Sequence, residues 1–180
     1  MEDLEVDCSR IEELVSEDQV ITANYLVTDP EGLFSLTEDV DSGPTREIIR
    51  GLQERFESFE VSREEDYFEV RNRGALEGLV QTRLRYECGE NNGFIHLAAF
   101  IMKALAENQV FGDGNKRTAY LTGTMFLVKY QIDVLGRDEA VIPELEDELV
   151  TILQDLAVGE TDLGELERYL STVEKDIKNL

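Results

Sequence analysis

Basic side chains are scarce in this chain, and lysine is the scarcest of them. Forty acidic residues face 17 basic ones, giving a formal net charge of −23, and only five of the 17 are lysine. Such a surface repels itself in dilute buffer. It is well screened only when the Debye length shrinks, to about 3 Å at 1 M salt. The acidic excess predicts a chain adapted to concentrated salt, as in a halophile cytoplasm. It also speaks against non-specific binding to nucleic acid or to a membrane surface, since both reward cationic patches. Cysteine is nearly absent: Cys8 and Cys88 stand far apart with no CxxC spacing, which argues against a zinc site and against a disulfide framework. No apolar run approaches the roughly 20 residues of a membrane span. Met1 to Asp18 has neither the basic start nor the apolar centre of a signal peptide. These absences predict a soluble, cytoplasmic protein.

What is present suffices for a core. A length of 180 residues suits one globular domain, and a hydrophobic share of 42% argues against disorder despite the charge. Residues 1–43 are mixed and read as an N-terminal extension of unclear structure. Within them Ile11 to Val15 suits a short helix, "QVITANYLVT" has β-type composition, and "TDPEGLFSLTEDVDSGPT" carries turn chemistry. Residues 44–180 read as the main domain. Pro44 can open a helix running to about Phe59, and "SREEDYFEVRNR" then breaks it as a loop or small β-hairpin. A short helix is expected from Gly74 to about Arg83. "GFIHLAAFIMKALAEN" is apolar nearly all round and predicts a central buried helix. Further helices are predicted from about Asn115 to Tyr130, Glu139 to Ala157 and Asp162 to Lys175, the last opening on a "DLGE" capping box. The predicted class is all-α.

Chemistry concentrates in "ENQVFGDGNKRTA", Glu107 to Ala119. Gly112 and Gly114 permit close backbone approach and unusual dihedrals. A helix N-terminus offers unpaired N–H groups to an anion, and Asn115 suits either the N-cap or an anion-binding amide. Lys116 and Arg117 sit in the first turn, where the helix dipole disfavours cations, so an anion is expected to compensate. Asp113 supplies a carboxylate suited to Mg²⁺, which shares phosphate oxygens. The spacing is not that of a P-loop. Read locally, the same stretch also suits a plain turn between buried helices, with Lys116 and Arg117 paired to the acidic surface.

"FGDGNKRTA" closely resembles the signature of the Fic/Doc family in its death-on-curing (Doc-like) branch, His-x-Phe-x-Asp/Asn-Gly/Ala-Asn-Lys-Arg. "RNRGALEGLVQTRL" and "LAVGETDLGELERYL" are similar to flanking elements of that family, so the likeness covers about Arg71 to Leu170. It implies a compact helical bundle and a transferase that passes part of a nucleotide to a protein hydroxyl. Carried onto this chain, Asp113 binds Mg²⁺. Gly112, Gly114, Asn115, Lys116 and Arg117 hold the phosphates of ATP, and Phe111 anchors the loop. Lys116 and Tyr120 stand where AMP-transferring members have glycine and a second arginine, which points to phosphoryl transfer. A target protein of the host and an antitoxin are the implied partners of such a toxin.

The departures matter as much. The family's catalytic histidine is Gln109 here, and Val110 replaces the proline after it. Glutamine can orient a hydroxyl but cannot take its proton, and loss of a general base costs about 10²–10⁴ in rate. A second expected histidine corresponds to Gln53 in "GLQERF". His96, the only histidine, lies 13 residues upstream, about 20 Å along a helix, and reads as a hydrogen-bonded packing residue. "SRIEEL" and "TDLGEL" approach the family's inhibitory pattern, Ser/Thr-x-x-x-Glu-Gly/Asn, without its last residue; Glu13 is the nearest counterpart of the inhibitory glutamate. Two readings stay open: a Doc-like transferase slowed at Gln109, or a silent Fic-fold protein that binds nucleotide or a partner without turnover.

Overall fold

The structure is a computed structural model that describes residues 4–28 and 70–179. The helix expected from Pro44 and nearly all of the loop or hairpin after it lie outside those residues. Among the described residues every regular element is helical, as the all-α reading requires. The only β-type pairing there is two isolated bridges, Glu5 with Gly93 and Val70 with Phe111. Numbered over the described residues, the helices are α1 (Ile11–Leu14), α2 (Glu17–Thr28), α3 (Arg73–Gly78), α4 (Leu84–Glu90), α5 (Phe94–Glu107), α6 (Asn115–Lys129), α7 (Asp147–Ala157) and α8 (Leu163–Asn179). A π-helical turn, Leu79–Arg83, joins α3 to α4 without a break, and a second, Tyr130–Val134, extends α6.

The core forms around α5, whose Leu97, Ala98, Ala99, Ile101 and Met102 are almost wholly buried. It packs against α4, α6, α7 and α8, while α2 packs along α6. Close approach of α5 and α6 depends on Gly123: a Cβ there would strike the side chain of Met102. The central buried helix is therefore where its composition placed it.

α2 corrects the β-type reading of "QVITANYLVT". Val20, Ala23, Asn24, Val27 and Thr28 are all buried, and their spacing is that of one helix face. Ser16 and Gln19 form a capping box ahead of it: the Ser16 N–H donates to Gln19 Oε1 at 3.0 Å, and the Gln19 N–H donates to Ser16 Oγ at 3.3 Å. Packing and capping override the β-branched propensity of valine, isoleucine and threonine. The helix expected from Glu139 begins only at Asp147. Pro143 disfavours helix before it. The extended strap around it is held by the Gln131 side chain at both polar atoms of Val141, and by the Tyr120 hydroxyl donating to the Pro143 carbonyl at 2.9 Å.

The second correction concerns cysteine. Cys8 and Cys88 form a disulfide across a sequence separation of 80. Spacing along the chain carries no information about this pairing; the bundle brings Cys8 beside α4. Neighbouring contacts hold the same N-terminal segment. The Val6 N–H donates to the Asn92 carbonyl at 2.8 Å, and the Tyr130 hydroxyl donates to the Glu5 carbonyl at 2.9 Å. No helix among the described residues is long and apolar enough to cross a membrane.

Candidate active site

The glycine loop begins where α5 ends. Asn108 caps that helix, and Gln109 follows in the left-handed region at φ 46°, exposed to solvent. An L side chain adopts that region at a cost, so Gln109 carries local backbone strain. Val110 and Phe111 then turn inward and are buried. The Asn72 N–H donates to the Val110 carbonyl at 3.0 Å, and Val70 bridges to Phe111, so residues 70–72 brace one side of the loop. Asn115 closes it from within: its Oδ1 accepts from the Phe111 N–H at 3.0 Å, and its Nδ2 donates to the Phe111 carbonyl at 2.9 Å. Asn115 is thus the first residue of α6 and not its N-cap, and its amide is engaged by the loop itself. The N-cap is Gly114, at φ 74°.

The other side of the loop rests on α2. Asn24 Nδ2 donates to the Asp113 carbonyl at 2.8 Å and to Thr118 Oγ1 at 3.1 Å. A Cβ on Gly114 would lie 2.7 Å from Thr28 Cγ2 and 3.3 Å from both Val27 Cγ2 and Asn24 Nδ2. Glycine is needed at 114 for two separate reasons, the dihedral and the space. None of these α2 contacts was legible from the loop's own sequence. The helical spacing from Val20 to Thr28 and the Ser16–Gln19 box were the signals for the helix that makes them.

Charge is held tightly here. Arg117 is 1% exposed; its Nη1 donates to the Val27 carbonyl, and its Nη2 lies 3.6 Å from Asp113 Oδ2. Val27 is in the last turn of α2, where carbonyls lack helical partners and carry negative partial charge, so a guanidinium there is well placed. Burial lowers the pKa of Arg117, and Asp113 opposes that shift. Asp113 is itself nearly buried, with Oδ1 accepting from the Gly114 N–H at 2.7 Å. Gly112 and Lys116 are half-buried and lie nearer the solvent side of the turn. The structure thus brings Asp113, Gly114, Asn115 and Arg117 into one compact turn, with Arg117 directed toward α2.

Can this turn hold Mg²⁺? Among the described residues no three His, Cys, Asp or Glu side chains converge on an ion position. Asp113 offers one carboxylate, with Oδ1 accepting from the Gly114 N–H and Oδ2 paired with Arg117 at 3.6 Å. That donor set fits an ion arriving with a polyphosphate, which together with water would complete the coordination. It does not fit an ion held by the protein alone.

The remaining candidates fall outside the site. His96 lies at the far end of α5 from Gln109, with Nε2 2.7 Å from Glu87 Oε1 and Nδ1 against Glu167, a packing histidine as its position suggested. Glu13 accepts from Arg10 on the surface and is not a partner of Arg117. Tyr120 is buried with its hydroxyl on the Pro143 strap, and burial raises its pKa.

A glycine turn ending a buried helix, with Asp-Gly-Asn-Lys-Arg opening the next, is the arrangement that comparison with known families can decide. Residues 45–127 match the Fic/DOC family. The matched span runs from outside the described residues through α3 to most of α6, including the whole glycine loop, and leaves out α2, α7 and α8. No curated protein and no solved structure matches the chain.

Proposed function

We propose that this chain is a Doc-like, toxin-type protein transferase that binds Mg-ATP and passes a phosphoryl group to a protein hydroxyl, slowed by Gln109. The observation that supports this best is the joint placement of a carboxylate, a left-handed glycine and a buried guanidinium at the opening turn of a 15-residue helix. The N-terminal N–H groups of α6 suit phosphate oxygens, and Lys116 and Arg117 supply positive charge. Asp113 would hold Mg²⁺, which when bound neutralises charge on the phosphates. In the reaction the target hydroxyl oxygen bonds to the γ-phosphorus while the bond to the β,γ-bridging oxygen breaks and ADP leaves. The hydroxyl proton passes to water, because Gln109 can orient that hydroxyl and cannot accept its proton. Lys116 and Tyr120, in the resemblance to the Doc-like branch, favour phosphoryl over AMP transfer. A cytoplasmic setting and restraint by an antitoxin belong to the same reading.

One observation favours a second reading, a silent Fic-fold protein that binds nucleotide or a partner without turnover. Arg117 is engaged by the Val27 carbonyl and Asp113, and pairing with a phosphate requires it to exchange those contacts. The test is transfer from γ- and α-labelled ATP to protein in multimolar KCl, with Gln109→His beside the parent. The expected result is γ-label transfer by the parent, raised about 10²–10⁴-fold by histidine. Transfer by the histidine variant alone identifies a silent protein. Transfer of α label identifies AMP transfer, and no nucleotide binding by either chain overturns both nucleotide readings.

A further inference from the structure

Asn24 lies outside the Fic/DOC match and 89 residues from the loop it touches, yet its side chain donates to the Asp113 carbonyl at 2.8 Å. We infer that Asn24 is a positioning residue of the anion site, fixing the Asp113–Gly114 peptide so that its N–H, and not its carbonyl, faces the Asp113 carboxylate and holds it for the ligand; this rests on the nucleotide reading above.

The geometry runs through one peptide unit. In a trans peptide the C=O and N–H point in opposite directions. Asn24 Nδ2 draws the Asp113 carbonyl toward α2, so the Gly114 N–H of the same unit is turned away, where it meets Asp113 Oδ1. Glycine at 114 tolerates either orientation of that peptide, because it lacks the Cβ that restricts other residues. A flip would present a carbonyl oxygen to the Asp113 carboxylate, and the Asn24 donor opposes it. The second bond, to Thr118 Oγ1, ties the same amide to the first turn of α6, where the Thr118 N–H donates to the Gly114 carbonyl at 2.8 Å. One side chain thereby spans both ends of the anion-binding turn.

A packing role alone does not explain a polar residue here. Asn24 is 0% exposed, and its Oδ1 has no hydrogen-bond partner among the described residues. Leucine would fill a similar volume without leaving a buried acceptor unsatisfied. The polar atom that is satisfied is the one that holds the loop.

The experiment compares Asn24→Leu with Val20→Ala, which thins the same helix at a fully buried position without touching the loop. In the ¹⁵N–¹H spectrum, Asn24→Leu is expected to move the Gly114 and Thr118 amides, and Val20→Ala to leave them in place. The Mg-ATP dissociation constant is expected to rise about tenfold in Asn24→Leu, the loss of one or two hydrogen bonds' worth of preorganisation, and to stay within about twofold in Val20→Ala. Equal weakening in both variants, or unmoved loop amides in Asn24→Leu, overturns the proposal. If the parent does not bind Mg-ATP, the nucleotide reading fails on its own, and the loop amides still decide the role of Asn24. If Asn24→Leu does not fold, the parent decides: slow solvent exchange of the Asn24 side-chain amide protons supports the proposal, and fast exchange of both overturns it.

Discussion

Gly114 carries two independent constraints that substitution can separate. Gly114, Gly136 and Gly159 all have positive φ, but only at Gly114 would a Cβ meet another atom. Alanine at 136 or 159 therefore faces only the dihedral penalty, about 1 kcal/mol. Alanine at 114 adds the contact with Thr28 at 2.7 Å, and overpacking a tight site costs about 1–3 kcal/mol more. Urea unfolding midpoints of Gly114→Ala, Gly136→Ala and Gly159→Ala should show the first shifted far more than the other two. Equal shifts would mean that α2 yields and does not buttress the loop. The chemistry of the loop itself was legible because it is contiguous: glycine, carboxylate and cations fall within six successive positions, Gly112 to Arg117. What sequence could not give was direction. Nothing in "GDGNKR" says that Arg117 turns inward to a carbonyl of α2, or that Asn115 bonds its own loop, because both choices are made by partners distant in the chain.

Among the elements, α2 was the least legible and bears most on the site, whereas the short helix just before it stands where Ile11 to Val15 was expected to form one. Its β-branched residues suggested strand, and burial on α6 together with the Ser16–Gln19 capping box selects helix. The lone cysteines suggested no bond, because pairing depends on three-dimensional approach and not on spacing. By contrast, α5 announced itself through a surface that is apolar nearly all round, as suits a helix packed on most of its sides. The Cys8–Cys88 bond now yields an expectation at this scale. It closes a loop of about 80 residues in the unfolded chain, for which the chain-entropy argument gives about 4.5 kcal/mol of stabilisation. Cys8→Ser with Cys88→Ser should lower the unfolding free energy by about that amount, and reductant should do the same to the parent but nothing further to the double variant. A parent whose unfolding midpoint ignores reductant would show that the bond contributes nothing. α2 also keeps its capping box and its buried face on α6. The double variant should therefore retain its helix content by circular dichroism at low denaturant.

For the whole molecule, charge is the dominant unresolved force. A net charge of −23 on 180 residues sets the folded chain against its own field, and the unfolded chain, being larger, relieves it. Tyr169 reports the field locally. Its hydroxyl is pushed up to about 12, first by burial and then by Glu146, Glu148 and Glu144 around it. Because the folded pKa lies above the ordinary value of 10, the neutral phenol stabilises the fold below pH 10, and that contribution is lost between about pH 10 and 12. Added salt should act on both quantities in known directions. The melting temperature should rise between 0.1 and 1 M KCl, by about 2–4 °C for each kcal/mol of repulsion removed. The alkaline titration of Tyr169, isolated as the difference from Tyr169→Phe, should move down toward 10 as its carboxylate neighbours are screened. Screening alone saturates near 1 M, where the Debye length is about 3 Å and shorter than most charge separations on a surface. A rise that continues into multimolar KCl while the tyrosine titration stands still would require ion binding or strengthened apolar burial as a second source of stability. Greater stability in dilute buffer would overturn the salt-adaptation reading altogether, and would leave the acidic surface to be explained by a basic partner.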